Sequence, residues 1–130
     1  IGLVDAMGDA AAVTGVANVP WAGHIIGDGF TCQGNSLVGP QVLDAVAETY
    51  TSTTGDFADR LLVALKAGEN AGGDRRRQIP RNSAGLLVSK VALTQYGLHD
   101  RFIDLRVDHH DTPIDHLKEL RELHRQDFGS

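Results

Sequence analysis

Three short runs bring together residue types able to do chemistry. Gln33-Gly34-Asn35 sets two amide side chains around a glycine just before Gly39-Pro40. At the end of a strand, such amides and an exposed backbone could donate hydrogen bonds to an oxyanion. The same letters also read as an ordinary Gly-Asn turn. Gly72-Gly73-Asp74-Arg75-Arg76-Arg77 follows an apolar helical pattern. A guanidinium there can clamp a carboxylate or phosphate through two parallel N–H bonds. The alternative is an exposed loop in which Asp74 pairs with a neighbouring arginine. Asp108-His109-His110-Asp111, with His116 close behind, contains metal-ligand residue types. Adjacent side chains on an extended chain point to opposite faces, however, so His109 and His110 cannot chelate one ion unaided. The alternative is a solvated loop in which Asp111 or Thr112 caps the last helix. Trp21 and His24 could wall a pocket, although a lone tryptophan also serves as a buried anchor. Ser and Thr are plentiful, but no Gly-x-Ser-x-Gly elbow nominates a nucleophile.

A strand running into Asp-His-His resembles the signature of the manganese-dependent DHH phosphoesterases. That superfamily also needs an upstream Asp-x-Asp, which this chain lacks, so a metal phosphoesterase is the weakest of the readings and no metal or other cofactor is expected. Gly-Gly-Asp is similar to the core of cyclic-dinucleotide synthases, without the Glu-Phe that should follow.

These residues must be held by elements that the pattern outlines. The first third reads as hairpins: Leu3–Ala6 with Ala10–Thr14 around Met7-Gly8-Asp9, then Ile25-Ile26 with Phe30–Cys32 around Gly27-Asp28-Gly29. Gly39-Pro40 opens a helix whose Val42, Leu43, Val46 and Tyr50 share a face. Asp56 can cap the next, with Phe57, Leu61, Ala64, Leu65 and Gly68 on one stripe, and Gly72-Gly73 stops it. Residues 74–83 read as a polar loop. Ala84–Ala92 is a strand whose continuous apolar start suggests cover on both faces, and Phe102–Val107 is an alternating strand. Thr112-Pro113-Ile114-Asp115 resembles a capping box, with Asp in place of Glu, before a helix bearing Ile114, Leu117, Leu120 and Leu123. Runs of like elements in the order ββββ-αα-ββ-α predict an α+β fold with mostly antiparallel sheet.

The 130 residues fit a single domain spanning 1–130. Seventeen acids against 12 bases give a formal charge of −5, which disfavours non-specific nucleic-acid binding. No apolar run approaches the ~20 residues that cross a bilayer. The single cysteine, Cys32, can form neither an internal disulfide nor a cysteine-based zinc site, which points to a reducing, cytoplasmic compartment. Ile1 starts a strand-like run, so the expectation is that polypeptide preceded it, either cut away or present as another chain.

Val4-Asp5-Ala6, Val13-Thr14-Gly15, Pro20-Trp21-Ala22-Gly23-His24, Gln33-Gly34-Asn35, Gly72-Gly73-Asp74-Arg75-Arg76 and Ile103–Asp108 together resemble the second half of bacterial domain-of-unknown-function family 1028, assigned to the N-terminal-nucleophile (Ntn) hydrolases. The resemblance covers nearly the whole chain and implies part of a four-layer αββα sandwich of two facing antiparallel sheets flanked by helices. It also implies hydrolysis of a small amide or peptide-like bond by an N-terminal Thr, Ser or Cys whose own α-amine is the base. Ile1 has no hydroxyl or thiol, so that nucleophile would come from a segment outside this chain. In this reading Asn35 is an oxyanion donor, and Asp74 and Arg75 orient the substrate or the terminal amine. Trp21, His24 and Gln33 bind substrate, while Arg76 and Arg77 face solvent. The implied partner is an N-terminal segment as a separate chain, or a second copy of this one. Two uncovered sheet faces, notably along Leu86-Leu87-Val88, lead to the same expectation. The competing function is a non-catalytic binding or assembly module on the same fold.

Overall fold

A computed structural model describes residues 1–76, 82–90 and 101–129. The elements run β1 (Gly2–Val4), β2 (Ala10–Ala12), β3 (Gly23–Gly27), β4 (Phe30–Gly34), α1 (Gln41–Ser52), α2 (Phe57–Asn70), β5 (Asn82–Ser89), β6 (Arg101–His110) and α3 (Pro113–Phe128). The strands pair antiparallel as β1–β2, β3–β4 and β5–β6, which is the expected α+β class. Among the described residues no helix is long and apolar enough to cross a membrane.

The β3–β4 hairpin turns through Asp28-Gly29, with Gly29 at a φ of 72°. Only glycine enters that region without steric cost, which is why the Asp-Gly pair signals this turn. Its two faces are used differently. Cys32 points to α1, its Sγ 3.8 Å from the Leu43 carbonyl, and Phe30 meets Tyr50 of α1 at 4.9 Å between ring centres. Thr31 and Gln33 point the other way, into β1, where a Cβ on Gly2 would collide with both. A period of two therefore puts α1 on one face of β3–β4 and the β1–β2 hairpin on the other.

Asp56 caps α2, accepting from the Ala58 and Asp59 N–H groups at 3.0 and 3.2 Å. The expected stripe on α2 is only partly correct, because Phe57 is 49% exposed and Leu65 also reaches solvent, whereas Ala58 and Leu62 are buried. The helix is packed on two sides. Gly68 faces Val42 and Val46 of α1, while Ala58 and Leu62 join Leu86, Val88, Ile103, Val107 and Leu117 in the main core.

β5 begins at Asn82 rather than Ala84 and ends at Ser89; residues 91–92 of the expected strand lie outside the described residues, as do residues 77–81 of the expected loop. Leu86 and Val88 are buried but Leu87 is 56% exposed. Among the described residues α2 and α3 pack on one side of this hairpin, so the expected cover on both faces is not seen there, and of the expected bare run Leu87 alone is exposed. On α3, Ile114, Leu117 and Arg121 are buried and Leu123 is exposed. The expected capping is not made. Thr112 sits at the cap position with no side-chain bond to the helix. Its hydroxyl meets His110 Nδ1 at 3.2 Å, Pro113 has no N–H to satisfy, and Asp115 binds Lys66 of α2 at 2.7 Å.

Candidate functional site

The site is built where β2 ends, β3 begins and β4 ends. Cross-strand pairing sets His24 opposite Gln33 and Gly23 opposite Gly34. Trp21 and Leu37 exchange backbone hydrogen bonds of 3.3 and 3.0 Å just beyond the paired strands. The indole lies over Gly23, so closely that a Cβ there would strike the ring; glycine at this position is what allows the close approach. Across the gap, the chain leaving β2 turns at Gly15, whose carbonyl accepts from the Asn18 side chain at 2.9 Å. That bond fixes the Asn18 amide, whose oxygen accepts from Asn35 Nδ2 at 3.5 Å.

Thr14, Asn18, Gln33 and Asn35, together with Ile1, Val13, Gly23 and Gly34, line an open pocket of ≈ 200 Å³ between the two hairpins. Thr14 Oγ1 lies 2.7 Å from His24 Nδ1. Three of the residues singled out from sequence, His24, Gln33 and Asn35, are therefore neighbours, whereas the Trp21 indole, expected as a pocket wall, lies over Gly23 on the opposite, α1 face of β3–β4. Thr14 and Asn18 are the members that sequence reasoning missed. A threonine one residue before a glycine carries no signal of its own until the two hairpins are stacked.

Asp74 and Arg75 stand elsewhere. The backbone at Asp74 bridges to Leu37, and the Arg75 N–H donates to the buried Ser36 carbonyl at 2.9 Å. Asp74 lines a second, mostly apolar pocket of ≈ 270 Å³ with Val42, Leu43, Val46, Leu65 and Ile114. That pocket lies on the α1 side of β3–β4, so Asn35 and Asp74 line different pockets, with Gln33 at the margin of both. Asp74 pairs with a neighbouring arginine, as the loop reading has it, and that arginine is Arg76 and not Arg75. Arg76 Nη2 reaches Asp74 Oδ2 at 2.6 Å and its Nε reaches Oδ1 at 3.0 Å, while its backbone N–H donates to Oδ1 at 2.7 Å. Successive side chains on a turning backbone diverge, and the residue two along returns to the aspartate. Arg76 is thus exposed yet engaged, and its guanidinium holds the Asp74 carboxyl below the usual carboxylate range against the opposing effect of burial. Arg77 lies outside the described residues.

The Asp108–Asp111 run forms no ligand cluster; among the described residues no three His, Cys, Asp or Glu side chains converge. Asp108 pairs with Arg106 at 3.0 Å. His110 Nδ1 accepts from the Thr112 N–H at 3.0 Å, and its ring stacks on His116 with centres 4.8 Å apart. Burial pushes the Cys32 thiol pKa up, which disfavours the thiolate a nucleophile needs.

The model of the family of unknown function DUF1028 matches residues 1–117. The chain is similar in structure to protein SPO2555 from Silicibacter pomeroyi, whose crystal structure is described with the same family, at a TM-score of 0.77 and 30% identity. The match covers 95% of this chain and 49% of that one, so the chain spans about half the length of that relative. No curated protein matches it.

Proposed function

The chain belongs to the family of unknown function DUF1028, and on that footing we propose that it forms the binding half of an Ntn-type hydrolase of a small amide or peptide-like bond. The nucleophile is supplied by a segment outside this chain, whose partner is that segment or a second copy. The observation that carries the reading is the pocket between the facing hairpins, where the neutral amides of Asn35, Asn18 and Gln33 gather. Hydrolysis of an amide develops negative charge on the carbonyl oxygen, and preorganised N–H donors stabilise that charge without reorganising. Asn35 is the favoured donor. One of its N–H bonds is spent weakly on Asn18, and the Asn18 amide is itself anchored to Gly15, so the donor is held from behind. The arrangement of β1–β2 facing β3–β4 with α1 behind corresponds to three of the four layers of an αββα sandwich.

The test is hydrolysis of N-acyl amino acids and dipeptides by the full polypeptide, followed by release of free amine. Asn35→Ala is expected to lower kcat about 10²–10³-fold, the usual loss for one oxyanion donor, with little change in melting temperature. Release of no amine from any of these compounds overturns the reading in favour of a non-catalytic binding module, and an unchanged kcat in Asn35→Ala overturns the role of Asn35 as oxyanion donor.

A further inference from the structure

We propose that the apolar pocket beside α1 and α2 is a second binding site, for a small aliphatic ammonium ion: a short carbon chain with a protonated amine at one end. The inference stands apart from the hydrolase reading, because this pocket lies on the α1 side of β3–β4, away from the amides of Asn18 and Asn35. Three helices of this chain enclose it. The buried Val42 and Leu43 come from α1, Leu65 comes from α2, and Ile114 at the start of α3 closes one end. An apolar cavity of ~150 Å³ is enough to admit a molecule the size of benzene. This one measures ≈ 270 Å³, so a chain of about six carbons has room on its apolar floor.

The charges at its rim select the head group. Glu69 and Asp74 line the pocket, and among the described residues no lysine, arginine or histidine does. Arg76 balances Asp74. Glu69 has no cation to itself. Lys66 contacts Glu69 at 2.5 Å and Asp115 at 2.7 Å, so one cation serves two carboxylates and a negative charge is left over. An ammonium beside Glu69 supplies the missing positive charge through a charge-assisted hydrogen bond, while its carbon chain covers Leu43, Leu65 and Ile114. The Glu69 side chain is only 22% exposed, which screens that attraction less than at an open surface. A carboxylate of the same length meets the same charge as repulsion.

The probe is n-hexylamine, titrated calorimetrically into the full polypeptide at neutral pH, where the amine is protonated; 1-hexanol and hexanoate are the controls. Hexylamine is expected to bind about tenfold more tightly than hexanol, and hexanoate more weakly than either. Glu69→Gln leaves Lys66 paired with Asp115. It should lower hexylamine affinity about tenfold, the usual effect of losing a hydrogen bond to a charged group, and leave hexanol affinity unchanged. Leu65→Trp enlarges a partly exposed wall and should abolish binding of both, with a melting curve to show that the variant is folded. Absence of hexylamine binding, as when another stretch of polypeptide fills the pocket, overturns the proposal. So do equal affinities for the three compounds, or a hexylamine affinity that Glu69→Gln does not change. Hexylamine that still binds a folded Leu65→Trp variant sits elsewhere and overturns it too. None of these readings depends on whether the protein hydrolyses amides, so this inference and the hydrolase reading can fail separately.

Discussion

Arg121 is the residue whose surroundings have most to say about stability. Its side chain is 2% exposed and reaches Asp56 at 3.1 Å and Asp59 at 3.6 Å. Asp56 therefore serves two elements, capping α2 and neutralising a cation buried under α3. Burial alone would raise the Asp56 pKa, but the Arg121 hydrogen bond and the Asp59 and Ala58 N–H groups outweigh it and hold the carboxyl below its ordinary value. Asp56→Ala removes the cap and leaves the guanidinium with Asp59 alone at 3.6 Å, so it is expected to cost about 2–4 kcal/mol in urea unfolding at neutral pH. Asp56→Asn, which keeps an acceptor for the cap, should cost less. The folded pKa lies below the unfolded one, so the charged carboxylate stabilises the fold above about pH 4 and loses that effect as pH falls through the folded value. Between pH 5 and pH 2 the wild-type protein should therefore lose more stability than Asp56→Asn; equal acid sensitivity would refute this pairing. The cap was legible in the sequence, since Asp56 precedes a helical pattern. The partner was not, because nothing local couples residue 56 to residue 121, and leucines at 117, 120 and 123 draw attention away from an arginine.

Gly68 makes the equivalent case for an element. A Cβ at this position would lie 2.7 Å from Val46 Cγ2, so the α1–α2 contact depends on its absence. Alanine gains about 1 kcal/mol over glycine in helix propensity. Overpacking against a stiff β-branched side chain costs about 1–3 kcal/mol. The clash should win, and Gly68→Ala is expected to lower stability by about 1 kcal/mol in equilibrium unfolding; a more stable variant would mean that the helices separate freely. Hairpins, helix starts and the order of elements were legible because Asp28-Gly29, Gly39-Pro40 and Asp56 act locally. Burial on α2 was less so. A single stripe describes a helix with one neighbour, whereas this one is packed by α1 on one side and by β5 and α3 on the other. The missing cap on α3 has a similar cause, since His110 claims the Thr112 hydroxyl from outside the helix.

At the scale of the whole molecule, the stacking of β1–β2 on β3–β4 decides which residues meet. His24, Gln33 and Asn35 could be chosen from sequence because they are chemically able and close along the chain. Their union with Thr14 and Asn18, and the separation of Asp74 from them, depend on which face each side chain takes, and a change of one residue in phase reverses that. The same stacking leaves apolar residues on the first hairpin in solvent, with Leu3 67% exposed and Val4 and Val13 also open. We expect this face to be covered by the rest of the polypeptide or by a second copy, burying more than ~1,000 Å². The 130-residue chain alone should then sediment heavier than a monomer, and Leu3→Lys should reduce that association; a clean monomer at micromolar concentration would count against any such interface. The layer behind the pocket also carries its own lamp. The chain has one tryptophan, and its indole rests on Gly23, which shares the α1 face of β3–β4 with Cys32 and Phe30. Any repacking of α1 against that face must alter the polarity around the ring, so the colour and brightness of its ultraviolet emission should report such a shift directly, in the unlabelled protein.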